Sequence, residues 1–140
     1  MTTRDYLLQL RTIDYEIAMS ESDAQSWRDL AMKLHHEPSD VRVDTSPAPD
    51  KMENLVVKAA DCAIKAAKER DMLIYKKERI EKQIKAIEEK DLCFLLWLYY
   101  HDKHTHKEVA RQMNYSYDYE KHQINIALKV FEKKFGKEYL

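Results

Sequence analysis

At 140 residues, with 44% apolar and 35% charged side chains, the chain has the size of one ordinary domain, or of a small domain with a helical appendage. One Gly and three Pro leave little room for a turn-rich β fold, and a charge content above the usual quarter or so points to long solvated helices. A net charge of −1 excludes bulk attraction to polyanions, and with no run of 18 apolar residues no membrane span is expected.

The first 34 residues read as an amphipathic helix. Leu10, Ile13, Ile17, Ser20, Ala24, Trp27, Ala31 and Leu34 follow the alternating three- and four-residue step of a coiled-coil seam, and Thr2 or Thr3 can cap the start. The segment lacks the apolar core of a signal peptide. Pro38, Pro47 and Pro49 then fall in one stretch with Ser and Asp between them, which predicts a connecting loop over 35–50. Asp50 is placed to cap the next helix, with Glu53 three residues on. From Lys51 to Lys90 there is no breaker. Met52, Leu55, Ala59, Cys62 and Ala66 make one apolar stripe, continued after a shift by Leu73, Ile80, Ile84 and Ile87. Forty helical residues span about 60 Å and need a partner, so residues 1–90 are expected to form a long antiparallel, coiled-coil-like hairpin. The shorter first helix leaves seam uncovered, which makes the arm a candidate for homodimerisation through 1–90.

Residues 91–140 differ in character. The segment 91–100, DLCFLLWLYY, is apolar almost all round and predicts a buried helix. After the connector His101–Lys103, the run Thr105-His-Lys-Glu108 has the form of a capping box. Val109, Ala110 and Met113 form a short apolar face, and Asn114 falls where that helix must turn. With no glycine there, Asn114 is expected to take a positive φ. Ser116 can cap a second helix whose apolar stripe is Ile124, Ala127, Leu128 and Phe131. A buried helix followed by two capped helices predicts a small tri-helical helix-turn-helix domain over 91–140, in an all-α protein.

The stretch from Leu95 to Phe135 resembles the C-terminal helix-turn-helix of sigma factors, and more closely the small phage transcription activators of the RinA/ArpU type. The residues that carry the resemblance are Tyr99 or Tyr100, Thr105, Glu108, Val109, Ala110, Tyr115, Ser116, Ala127 and Leu128. Val43, Ser46, Pro47, Asp50 and Met52 match the hairpin loop of related phage proteins. The resemblance implies a phage-encoded transcription regulator that binds double-stranded DNA in the cytoplasm of a bacterial host cell, with RNA polymerase as a further partner. The chain departs from that pattern where the second helix ordinarily carries Arg or Lys, since Asp118 and His122 stand there, and Glu120 falls on the core arc, from which it could reach Arg111 or the rim.

Helical phase about Ile124 points Asp118, Tyr119, His122, Asn125, Ile126 and Lys129 outward. Tyr117, Asp118, Tyr119, His122 and Asn125 are the candidates for base readout. Lys103, Lys107, Arg111, Lys121 and Lys129 are the candidates for phosphate contact, although seven acidic residues share the segment. Tyr99 or Tyr100 and Tyr115 are expected to fill the core. His101, His104, His106 and His122 lack the spacing of a closed metal site and have no cysteine nearby, so neither metal nor cofactor is expected, and a pH response near neutrality is the more natural role. Cys62 and Cys93 read as reduced core residues. No nucleophile–base grouping or Gly-rich loop is present, so an enzyme is not expected. Two alternatives share the fold: a protein-interaction module that has lost DNA contact, and a small DNA-packaging subunit.

Overall fold

A computed structural model describes residues 1–35 and 49–140. Of the connecting loop expected at 35–50, residues 36–48, with Val43, Ser46 and Pro47 of the resemblance, lie outside the described residues, and both ends are helical. Among the described residues there are five α-helices and no strand: α1 (Thr3–His35), α2 (Pro49–Lys85), α3 (Lys90–Leu96), α4 (His106–Met113) and α5 (Tyr117–Phe135). A π-helical turn, Trp97–His101, follows α3, and a 3-10 turn, Gly136–Glu138, follows α5. The protein is all-α, and α1 packs on α2.

Local chemistry explains most helix starts. Thr2 caps α1, its hydroxyl accepting from the Asp5 N–H at 3.1 Å. Pro49 opens α2, where its missing N–H costs nothing. The expected start at Lys51 is thus two residues late, and Asp50 lies within the first turn of α2. The seam of α2 also differs from expectation. Met52, Val56, Ala59, Ala63, Ala66, Arg70, Leu73, Lys77, Ile80 and Ile84 are buried or half-buried in one unbroken 4-3 step, with no shift. Leu55, expected on the seam, is 49% exposed. The polar positions Arg70 and Lys77 hide this register in the sequence, because their stems fill seam positions while their charged ends reach out.

By packing, the chain divides into two compact units, one of residues 1–14 with 75–140 and one of residues 15–74. The boundary expected at residue 90 does not coincide with these limits. Among the described residues of the 15–74 unit, those that are buried are all alanines, Ala24, Ala59, Ala63 and Ala66. Small side chains let the two helix segments approach closely, but they bury little apolar area.

The unit of 1–14 and 75–140 has the larger core. The start of α1 and the end of α2 run antiparallel in it: Tyr6 Oη donates to Gln83 Oε1 at 2.6 Å, and Lys77 Nζ meets Asp14 Oδ1 at 2.7 Å. Leu7, Leu10 and Ile13 of α1, with Ile80 and Ile84 of α2, are fully buried. So are Leu95, Leu96, Tyr100, Val109, Ala127 and Phe131, and both α3 and α4 pack on α5. Tyr100 takes the core position expected of Tyr99 or Tyr100, and burial pushes its hydroxyl up to about 12. Tyr139 stacks on Tyr6 at 4.1 Å and bonds Thr3 Oγ1 at 2.8 Å, tying the end of the chain to the first turn of α1.

Two breaks were not visible beforehand. The helix expected to reach Lys90 ends at Lys85. Carbonyls at and just beyond its end are met by other elements, Ile84 O by Cys93 Sγ at 3.1 Å and Ala86 O by Lys134 Nζ at 2.6 Å. The buried helix expected over 91–100 is α-helical only to Leu96. In the π-helical turn Asp102 N–H donates to Trp97 O at 2.9 Å, and Trp97 stacks on His101 at 3.7 Å.

Candidate nucleic-acid interface

The turn between α4 and α5 follows from three residues. Thr105 Oγ1 accepts from Glu108 N–H at 3.2 Å and Ser116 Oγ from Tyr119 N–H at 3.2 Å, so both helices start at side-chain caps. Asn114 sits at φ 59°, ψ 38°, the left-handed conformation expected of it. Its N–H bonds Arg111 O, and the N–H of Tyr115 bonds Ala110 O, the paired closure of a Schellman motif. A β-branched residue at Asn114 is disfavoured there. Asn114→Val is expected to lose about 1–2 kcal/mol of stability in urea denaturation, whereas Asn114→Gly is expected to be neutral or slightly stabilising.

Beyond this turn α5 presents its outer face. Tyr117 and Tyr119 are 42% and 48% exposed, and Asp118, His122, Asn125 and Lys129 are exposed as well, while Ile126 is half-buried. Tyr115 is half-buried and meets Tyr119 edge-on at 4.8 Å. Lys121 lies 4.6 Å over the Tyr117 ring, and its hydrogen bond to Tyr117 raises the ammonium above its ordinary value. Lys107 and Arg111 are exposed on α4. Among the described residues no carboxylate pairs with Lys107, Arg111, Lys121 or Lys129.

Two candidates sit differently from the rest. Lys103 takes φ 62° and pairs with Asp14 Oδ2 at 2.8 Å, so its charge is matched within the protein. Arg11 reaches across from α1 to donate to Lys103 O at 2.9 Å, and lies 4.6 Å over the Tyr99 ring. Asn125 Oδ1 accepts from Arg4 at 3.5 Å. None of Arg4, Arg11 and Asp14 stood out in the sequence, because they lie about ninety to a hundred and twenty residues from their partners.

Asp14 holds the connector. Its bonds to Lys103 and then to Lys77 keep its carboxyl below the usual carboxylate range. A carboxyl depressed in the folded state stabilises above its unfolded pKa, and that contribution is lost as pH falls through the folded value. Asp14→Asn is therefore expected to destabilise the protein at pH 7 by no more than about 1 kcal/mol, since the pair is solvent-screened. The difference from the parent is expected to vanish at strongly acidic pH, as read by urea denaturation at several pH values.

His101, His104 and His106 meet carboxylates. His101 lies between Glu81 at 3.3 Å and Asp102 at 2.8 Å. His104 bonds Glu108 at 2.7 Å, and that bond holds the Glu108 carboxyl low. His106 stacks on Tyr99 at 4.4 Å and places Nδ1 3.0–3.1 Å from both carboxylate oxygens of Glu120. Glu120 is fully buried. Its partner is thus neither Arg111 nor solvent at the rim but His106, at the first position of α4. Cys62 and Cys93 are free, and burial pushes the Cys93 thiol up.

Compared with known proteins, the chain matches no family model, no curated protein and no solved structure. Among the described residues no helix is long and apolar enough to cross a membrane.

Proposed function

We propose that the protein is a phage-encoded transcription regulator that binds double-stranded DNA sequence-specifically in the bacterial cytoplasm, with α5 in the major groove. The observation that carries this is the α4–turn–α5 unit. Its two capped helices and left-handed Asn114 leave the start of α5 exposed as a polar, aromatic row, flanked by Lys107, Arg111, Lys121 and Lys129, which form no ion pair with a carboxylate among the described residues. Asp118 and His122 are the base-facing pair in this arrangement, His122 donating to guanine and Asp118 accepting from a cytosine amino group. The role is mechanical, not catalytic. Selection of bound sites from a random duplex pool is expected to enrich one motif. Recovery of unenriched sequence, with no retention of duplex, favours an interaction module built on the exposed Tyr117, Asp118 and Tyr119.

The arm is proposed to join two copies of the chain, with RNA polymerase as a further contact. In the 15–74 unit Met19, Leu30, Met32, Leu55, Val57, Ile64 and Met72 are all at least 40% exposed over an alanine core. Met32 and Ile64 border an apolar groove of about 370 Å³ floored by Ala31, Ala60, Ala63 and Ala67. The full-length protein is expected to sediment as a dimer and Ile64→Glu as a monomer. A monomeric parent at high micromolar concentration would rule out the dimer, and a ring-sized assembly would point to a packaging subunit.

A further inference from the structure

The first turns of α1 lie along one flank of α5, in the unit of 1–14 and 75–140. Arg4 donates to Asn125 Oδ1 at 3.5 Å. Around it are two grooves. One, of about 270 Å³, is bordered by Arg4, Lys121, Asn125, Tyr99 and Tyr100. The other, of about 490 Å³, is bordered by Arg4, Asn125, Lys129 and Glu132. Arg4 and Asn125 are common to both, so the two grooves adjoin along the helix. Lys121 and Lys129 are eight residues apart, about 12 Å of helix. Among the described residues, Arg4 has no carboxylate partner, and neither lysine has one.

We propose that Arg4, Lys121 and Lys129 form one row that binds the phosphodiester backbone, making the first turn of α1 part of the nucleic-acid interface. The proposal rests on the DNA-binding role of α5. Three unmatched cations spread over about 12 Å suit an extended polyanion better than a single phosphate, because each charge meets a different phosphate along a strand. The guanidinium already turns one donor to Asn125. Arginine retains further N–H groups to meet a phosphate oxygen. Asn125 then acts as a positioning residue for Arg4. Its amide oxygen is engaged within the protein, which withdraws it from base readout and leaves that task to Asp118 and His122.

The test is fluorescence anisotropy of the full-length protein with a duplex across a salt series. Arg4→Gln is expected to weaken binding about tenfold at low salt, equally for selected and random duplexes, and to lower the slope of log affinity against log salt by about 0.9. Arg4→Lys is expected to keep the slope. Asn125→Ala is expected to leave site preference unchanged. Lys107→Gln on α4 serves as a second cation outside the row, and thermal melting checks that each variant is folded. If Lys107→Gln lowers the slope and Arg4→Gln does not, DNA binding stands and the row is wrong. If Arg4→Gln weakens binding with an unchanged slope, Arg4 acts only through folding and the proposal is overturned. If Asn125→Ala changes which sites are preferred, Asn125 reads bases and the positioning role is overturned. If the parent retains no duplex at low salt, the row falls together with the DNA-binding role.

Discussion

Replacing His106 with alanine is expected to cost about 1–3 kcal/mol of folding stability. The Glu120 carboxylate is fully buried, and both its oxygens face His106 Nδ1 at 3.0–3.1 Å. Taking the imidazole away leaves a buried acceptor with nothing to meet it, and the cost of that is far greater than the net worth of the pair. Glu120→Leu should behave in the opposite way. It removes the group that needs a partner and places an apolar side chain on the arc of Ile124, Ala127 and Phe131, so it is expected to be neutral or stabilising. The double variant, His106→Ala with Glu120→Leu, should recover most of the loss. Urea denaturation of the four proteins gives the coupling directly. A His106→Ala protein as stable as the parent would show that the carboxylate is satisfied some other way. The pair joins the first residue of α4 to the first turns of α5, so the same variants bear on how rigidly α5 is presented.

This pair also shows where sequence stops being informative. Helical phase alone placed Glu120 on the core arc, and the structure agrees. Its partner was not legible, because His106 stands fourteen residues away and reads as one more polar residue of a connector. The same contrast runs through the fold. Caps and turns depend on residues that are neighbours in the chain, so Thr105, Ser116 and Asn114 could be assigned from their chemistry. The end of α2 depends on Lys134 and Cys93, which meet carbonyls at and just beyond it from other elements, so an uninterrupted helical pattern ran past it. The outward set of α5 was legible from the apolar stripe on its other side. That Asp14 neutralises Lys103, and that Arg4 engages Asn125, was not, because nothing local marks where α1 begins to touch α5. In the arm, alanines and the stems of Arg70 and Lys77 carry the seam, so hydrophobicity understated its regularity.

The second large effect concerns charge on α5. Asp118 lies exposed in the first turn, one turn from His122 and among the cations Lys121 and Lys129. When ionised it only accepts hydrogen bonds, so beside DNA it repels phosphate except where a cytosine amino group meets it. Asp118→Arg removes a repulsion and adds a donor. It is expected to tighten binding to random duplex by at least tenfold at low salt and to steepen the salt dependence by about 0.9. Lys121→Ala and Arg111→Ala are expected to weaken binding on every sequence alike, each flattening the salt dependence by a similar step. His122→Ala is expected to change which sites are preferred, since base contacts carry the sequence information and phosphate contacts do not.

Anisotropy of the full-length protein with a random duplex at about 50 and about 200 mM salt tests DNA binding by α5 most directly. Contacts from Lys107, Arg111, Lys121 and Lys129 predict saturable binding at the lower salt and roughly a hundredfold loss at the higher. Absence of binding at the lower salt, with no gain from Asp118→Arg, would contradict the proposed function and leave α5 as a protein-docking surface.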